Sequence, residues 1–288
     1  MEKQKKYKRL FVYGNCQSAG LSASFRLMLP NRIKVYPLIK SKHNLDEINF
    51  QTDDFLLMMT TGAKADKQYL KNLNCDWKFC PIINFNGFHP DICYINGFKS
   101  NPGYNSAIVS QCYKNGLSVD DTIKMFNQDT FSKLQYFDQY EVSKHLLRNL
   151  FLELSFTDSE FTKFFRKIQQ HGIFMHTSNH PMIFVLKEMA NILIERENFL
   201  NVKNVNLELD FHSLQDTLTT NVWPIYPELA NQFCISGSYT WKYGNRKING
   251  LKNFINFSFQ KFQKFRISPE EMEITNVSKH HKSLLLNL

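Results

Sequence analysis

The 288 residues suffice for one large domain or two modest ones, and a 43% hydrophobic content with 26 Phe supports a substantial core and excludes a disordered chain. No apolar run reaches the ~18 residues of a membrane-spanning helix. The net charge of +9 suits either a lysine-rich solvated surface or attraction to phosphates, but the basic residues are spread out and no nucleic-acid-binding signature accompanies them.

The charged N-terminus (Lys3, Lys5, Lys6, Lys8, Arg9) leads only into Leu10 to Tyr13, an apolar stretch too short for a secretory signal, so a cytoplasmic protein is expected. Leu10 to Tyr13 reads as a buried strand ending at Gly14. Leu21, Phe25, Met28 and Leu29 recur at helical spacing after Gln17, and Pro30 stops that helix. Further strands are predicted at 33–38, 55–59 and 77–83, with a short helix over 65–73 before the last. Strands alternating with helices predict an α/β fold with an open, mostly parallel sheet. The middle of the chain turns helical. One helix is predicted over 118–128 with Ser118 as N-cap, and a longer one over 131–154. A third opens at Thr157 with Glu160 completing a capping box and ends near Gly172. A strand over 173–175 and a polar loop, His176 to Pro181, follow. Pro181 is predicted as the first residue of a helix over 182–197. The basic, Phe-rich stretch from Lys242 to Arg266 reads either as an amphipathic segment or as a surface helix packing its Phe residues inward. This divides the chain into an α/β core at 1–115, a helical insertion at 116–172, and a return to the core with a C-terminal helical region at 173–288.

The six cysteines show no CxxC spacing, which excludes a zinc knuckle or dithiol redox motif and predicts free thiols. Cys16 stands apart. Gly14-Asn15-Cys16-Gln17-Ser18 lies where the first strand gives way to the first helix, and ligands of open parallel sheets bind at carboxyl ends of strands. A helix starting here points N–H groups and a positive dipole end at Cys16, which predicts a thiol inclined to ionise. Backbone N–H groups of the turn and the Asn15 amide would hold a developing oxyanion. A thiol nucleophile needs a base, usually histidine. His89, with Asp91 beside it, follows the fourth strand, and His176 and His180 bracket Thr177-Ser178-Asn179 after another. His176 and His180 have a spacing open to metal ligation on a helix, but Pro181 puts them ahead of the helix and no third ligand is evident, so no metal is expected. The other histidines (His43, His145, His171, His212, His280, His281) read as surface or core.

Three blocks carry a resemblance: Gly14 to Gln17, Asn86-Gly87-Phe88-His89-Pro90-Asp91, and His176 to Pro181. In this order they resemble the WcbI family of capsular polysaccharide biosynthesis proteins over roughly residues 8 to 190. The resemblance implies a coenzyme A-binding protein that acetylates a capsule sugar, on a fold loosely similar to SGNH hydrolases and, in its sheet, to flavodoxin-like cores. Cys16 stands where those hydrolases carry serine. It implies catalytic roles for Cys16, His89, Asp91, His176 and His180. Gly14, Asn15, Gln17, Ser18 and Asn179 would face coenzyme A or acetyl-coenzyme A, and Lys242 and Arg246 are candidates for gripping its phosphates. SGNH hydrolases carry a late Asp-x-x-His block. Here Asp210-Phe211-His212 is one residue too short, so a literal SGNH triad is not expected.

The expected activity is therefore acetyl transfer from acetyl-coenzyme A to a sugar hydroxyl of a polysaccharide or its precursor. A thiol esterase or deacetylase would use the same residues with water as acceptor. A non-catalytic coenzyme A- or nucleotide-binding module of a capsule assembly complex is the third reading. Contact with membrane-associated capsule machinery at the inner membrane face, and a homo-oligomer, are left open.

Overall fold

The computed structural model describes residues 7–62, 70–96, 103–196 and 214–287. The strands are β1 (Arg9–Gly14), β2 (Lys34–Ile39), β3 (Asp54–Thr60), β4 (Asp76–Pro81), β5 (Ile92–Asn96), β6 (Asn105–Ser106), β7 (Met175–Thr177), β8 (His180–Pro181), β9 (Asn221–Val222), β10 (Thr240–Tyr243), β11 (Arg246–Asn249) and β12 (Glu273–Thr275). The α-helices are α1 (Gln17–Met28), α2 (Ala107–Lys114), α3 (Val119–Lys124), α4 (Gln128–Lys133), α5 (Gln139–Glu153), α6 (Asp158–Gln169), α7 (Ile183–Glu195), α8 (Pro227–Ala230), α9 (Leu251–Lys264) and α10 (Lys279–Leu285). The predicted helix over 65–73 and the Asp210-Phe211-His212 segment lie largely or wholly outside the described residues.

The chain divides into two compact units: Met1–Asn84 with His145–Met175 and Asn179–Thr219, and Phe85–Lys144 with His176–Ser178 and Thr220–Leu288. The first unit holds the predicted α/β core. Its four strands lie in the order β2-β1-β3-β4, every neighbouring pair parallel. A parallel strand covered on both faces reads as a continuous apolar run, which is why Leu10-Phe11-Val12 and Phe55 to Met59 are buried throughout. Helix α1 returns over the sheet with Leu21, Phe25 and Met28 inward. Gly20 lets it approach α7, since a Cβ there would lie 2.6 Å from Leu186 Cδ1. Thr157 and Glu160 form the predicted capping box at the start of α6.

The second unit contains two small antiparallel three-stranded sheets: β12-β5-β6, and β11-β10-β9 with its hairpin turning at Gly244 (φ +56°). Helix α9 packs Phe254 and Phe262 inward, and the Trp241 ring lies flat on Phe254 with centroids 3.8 Å apart. The stretch predicted as one basic, Phe-rich helix is thus a hairpin followed by a helix, because Gly244 and Gly250, both at positive φ, separate the strands and the helix start.

Other boundaries also moved for local reasons. The helix predicted over 118–128 is two, α3 and α4, because the Asn127 side chain accepts from Thr130 N at 2.8 Å and caps a new start. The helix predicted from 131 begins at Gln139, after Gln135 takes a left-handed conformation. Pro181 is not the first residue of a helix: it ends β8, and Met182 is the N-cap of α7.

Candidate active site

In the first unit, the strand order places a topological switch between β1 and β3. The chain leaves β1 for β2 on one side and returns to β3 on the other, and the crevice outside the carboxyl ends at such a point is where open α/β sheets bind ligands. Gly14 ends β1 against β3 so closely that a Cβ would lie 2.7 Å from Met59 Cβ. Glycine is required there by the close approach, and its φ is ordinary.

The next residues build a tight turn. Asn15 Oδ1 accepts from Gln17 N at 3.0 Å, and Asn15 O accepts from Ser18 N at 3.0 Å. Two N–H groups expected to serve an oxyanion are therefore committed within the turn. Asn15 Nδ2 keeps no protein partner among the described residues and remains the available side-chain donor.

Cys16 occupies the N-cap of α1, with a free thiol. It is half-buried, packed beside Ile183, Leu186 and Leu218. Burial pushes its thiol pKa up, while the N–H groups of Cys16 and Gln17 pull it down without prevailing. The expectation of an ionised cysteine is thus corrected: loss of hydration by the thiolate outweighs the helix N-terminus.

Gln17 and Ser18 are fully buried. Gln17 Nε2 donates to Ile83 O and to Asn179 O, both at 2.9 Å, and its Oε1 accepts from Ile83 N at 3.0 Å. The sequence-based expectation that Gln17 faces the cofactor is thus corrected: its amide is committed to backbone groups. It ties the Cys16 turn to the segment after β4 and to the loop that carries Asn179 and His180. Ser18 Oγ is buried without a hydrogen-bond partner among the described residues. Ile183 N, at the start of α7, is capped by Asp216 Oδ2 at 3.0 Å.

The second unit holds His89, Asp91, His176 and Ser178. Gly87 makes the His89 loop possible, since a Cβ there would lie 2.7 Å from Tyr140 Cα. Phe85 N donates to Ser178 O at 2.7 Å, and Trp223 N donates to His176 O at 2.8 Å, so the two histidine loops are knitted together with Trp223. His89 is buried, its Nδ1 has no hydrogen-bond partner among the described residues, and burial pushes its pKa down to about 3 against the backbone of Trp223. His89 is held neutral. Ser178 is also buried, with Oγ unpartnered among the described residues.

Asp91 does not orient a histidine through its carboxylate. Oδ1 accepts from Ile108 N and Tyr136 OH, both at 2.9 Å, and Oδ2 accepts from Tyr226 OH at 2.7 Å. Burial pushes its pKa up, against these bonds and one from Ser106. Trp223 Nε1 extends the chain by donating to Tyr226 OH at 3.1 Å. Asp91 is the centre of a buried tyrosine network that fixes the loop carrying His89. Tyr136, Tyr226 and Trp223 were not singled out in the sequence, since isolated aromatics in a Phe-rich chain carry no local signal.

Lys242 and Arg246 lie on the β10–β11 hairpin, exposed to solvent. Among the described residues no three His, Cys, Asp or Glu are grouped to hold a metal, and no helix is long and apolar enough to cross a membrane.

The family model described as polysaccharide biosynthesis enzyme WcbI matches residues 9–199. A solved structure of a WcbI, called a novel polysaccharide biosynthesis enzyme, is similar in fold with a TM-score of 0.64 over 97% of this chain and 94% of that chain, at 13% identity. It is described as the native protein without a disulfide bond between coenzyme A and one of its cysteines. Among curated proteins none matches the chain in sequence.

Proposed function

The chain belongs to the WcbI family of polysaccharide biosynthesis enzymes, and on that premise we propose that it transfers an acetyl group from acetyl-coenzyme A to a hydroxyl of a capsular or surface polysaccharide sugar. The observation that carries this reading is Cys16 at the N-cap of α1, at the switch point between β1 and β3. The mention of coenzyme A with a cysteine in the similar structure supports bringing coenzyme A to this chain.

Asn15 Nδ2 and the half-buried Cys16 suit the thioester end: one amide donor beside a small, polarisable surface. Acetyl-coenzyme A supplies the activated acyl carbon. The raised thiol pKa of Cys16 favours direct attack by the sugar over a cysteine-bound acyl group. In that route a histidine takes the proton of the sugar hydroxyl as its oxygen attacks, and returns it to the departing thiolate, so CoASH and an acetate ester result. The depressed pKa of His89 speaks against it as that base, and the reading favours His180, which lies in the same unit as Cys16. His89 then positions its loop.

Two measurements test this. Coenzyme A at about 100 times Kd should stabilise the protein by roughly 2.7 kcal/mol, a shift of several degrees in Tm; no shift at millimolar concentration removes the reading. In an acetyl-transfer assay, Cys16→Ala should stay within roughly tenfold of wild type, whereas loss of the true base should cost about 10²–10⁴-fold. A larger loss in Cys16→Ala would instead establish the covalent route.

A further inference from the structure

A groove of about 380 Å³ runs between the edge strand β11 and helix α9. From its chemistry we infer that it binds an anionic stretch of glycan, the polymer that the proposed reaction acetylates. The inference rests on that reading only for the role of the glycan.

Helix α9 presents two faces. Phe254, Ile255, Ser258 and Phe262 are buried. Asn253, Asn256, Phe257 and Gln260 recur at i, i+3, i+4 and i+7 and line the groove. A merely solvated face usually carries Lys and Glu. This one carries amides, each able to donate and accept at once, as the neighbouring hydroxyls of a sugar require. Two are held in place: Asn253 Nδ2 donates to Asn249 O at 2.8 Å and Asn256 Nδ2 donates to Lys252 O at 3.0 Å. Each carbonyl oxygen and second N–H remains for a ligand.

The charge comes from the strand. The Arg246 guanidinium lies over the Phe257 ring, 4.8 Å from its centroid, which fixes it at the groove wall. Lys247 lies beside it. Neither makes an ion pair among the described residues, and no Asp or Glu lines the groove. Exposed cations on an edge strand also deter strand-to-strand pairing, but that purpose leaves the ordered amide stripe unexplained. The groove is open and shallow, a shape that admits an inner stretch of a chain. Arg246 is thereby assigned to a glycan carboxylate and not to a coenzyme A phosphate.

The test is calorimetric titration of the full chain with alginate decamers, with dextran decamers, and with coenzyme A. Alginate should bind, and dextran at least tenfold more weakly. Arg246→Ala/Lys247→Ala and Asn256→Ala/Gln260→Ala should each weaken alginate binding at least tenfold, with coenzyme A affinity within twofold of wild type. Lys71→Ala/Lys133→Ala, an equal loss of exposed charge elsewhere, should leave alginate binding within twofold. The inference is overturned if alginate fails to bind at millimolar concentration, if dextran binds as well, or if the control pair weakens binding equally. It is also overturned if the groove variants lose coenzyme A. Failure of wild type to bind coenzyme A would remove the acetyltransferase reading alone, because the alginate titrations still report on the groove.

Discussion

Removing the Gln17 amide should destabilise the first unit by about 3 kcal/mol. In Gln17→Ala, three backbone groups lose their partner: Ile83 N, Ile83 O and Asn179 O. Each unsatisfied buried group costs about 1–3 kcal/mol. Gln17 is fully buried, so water reaches the Ile83 pair poorly; Asn179 is half-exposed and recovers part of its loss. Two groups at full cost and one discounted give about 3 kcal/mol. With an m-value of about 3 kcal/mol/M in urea, the midpoint should fall by roughly 1 M. Gln17→Glu discriminates tie from mere packing. It keeps the size of the side chain but turns an acceptor toward two carbonyl oxygens, so near neutral pH it should be at least as damaging as alanine. On acidification the carboxyl group gains a proton, regains one donor, and should recover part of the deficit. A midpoint shift below about 0.3 M for Gln17→Ala, or a Gln17→Glu protein as stable as wild type at neutral pH, would refute the reasoning.

Cys16 should alkylate slowly with iodoacetamide at neutral pH and accelerate only above the ordinary thiol range of about 8.5, since burial raises its pKa; peptide mass spectrometry reads this, and rapid modification at pH 7 would contradict it. His89, held neutral down to about pH 3, makes stability fall as acid is added. The unfolded histidine takes a proton near pH 6.5 and the folded one does not, so stability is lost by about 1.4 kcal/mol per unit between those values, and His89→Leu should flatten that slope in denaturation measured from pH 6 to 4. Asp91→Leu should cost about 3 kcal/mol or more, because Ile108 N and the hydroxyls of Tyr136 and Tyr226 lose their acceptor. Asp91→Asn keeps one oxygen and should cost clearly less in thermal melts while leaving the shape of the pH–rate profile unchanged; an altered profile would return Asp91 to the chemistry.

The parallel core was legible because buried parallel strands are continuous apolar runs, and Leu10 to Tyr13 and Phe55 to Met59 have no other plausible home. The place of Cys16 followed from the same pattern, since a strand ending in Gly14 and a helix beginning at Gln17 leave one position for it. Helix boundaries were less legible. Asn127 and Gln135 break a smooth apolar period by a side-chain cap and a left-handed backbone, and neither alters the period itself. The least legible parts were the long-range ties. Gln17 to Asn179 spans 162 positions and Tyr226 to Asp91 spans 135. Nothing in either neighbourhood signals its partner, so Gln17 reads as a ligand contact and Asp91 as a histidine's carboxylate until their bonds are seen.

The balance of forces on the Cys16 thiol bears on which route the proposed acetyl transfer would take. A helix N-terminus stabilises a negative charge by about 0.3–1 kcal/mol at the surface and about 2 kcal/mol in favourable buried geometry. That contribution suffices for an exposed cysteine. Here Ile183, Leu186 and Leu218 replace water beside the sulfur, and two nearby N–H groups do not restore the lost hydration. The neutral thiol is therefore the resting form, and ionising it requires a base acting during the reaction. A sugar hydroxyl needs the same proton removal, and unlike the thiol it is the final acceptor. Under the proposed acetyl transfer, a base that serves the hydroxyl directly completes the reaction without an acyl-cysteine. Under that same proposal, the apolar lining would serve as a wall for the poorly hydrated thioester.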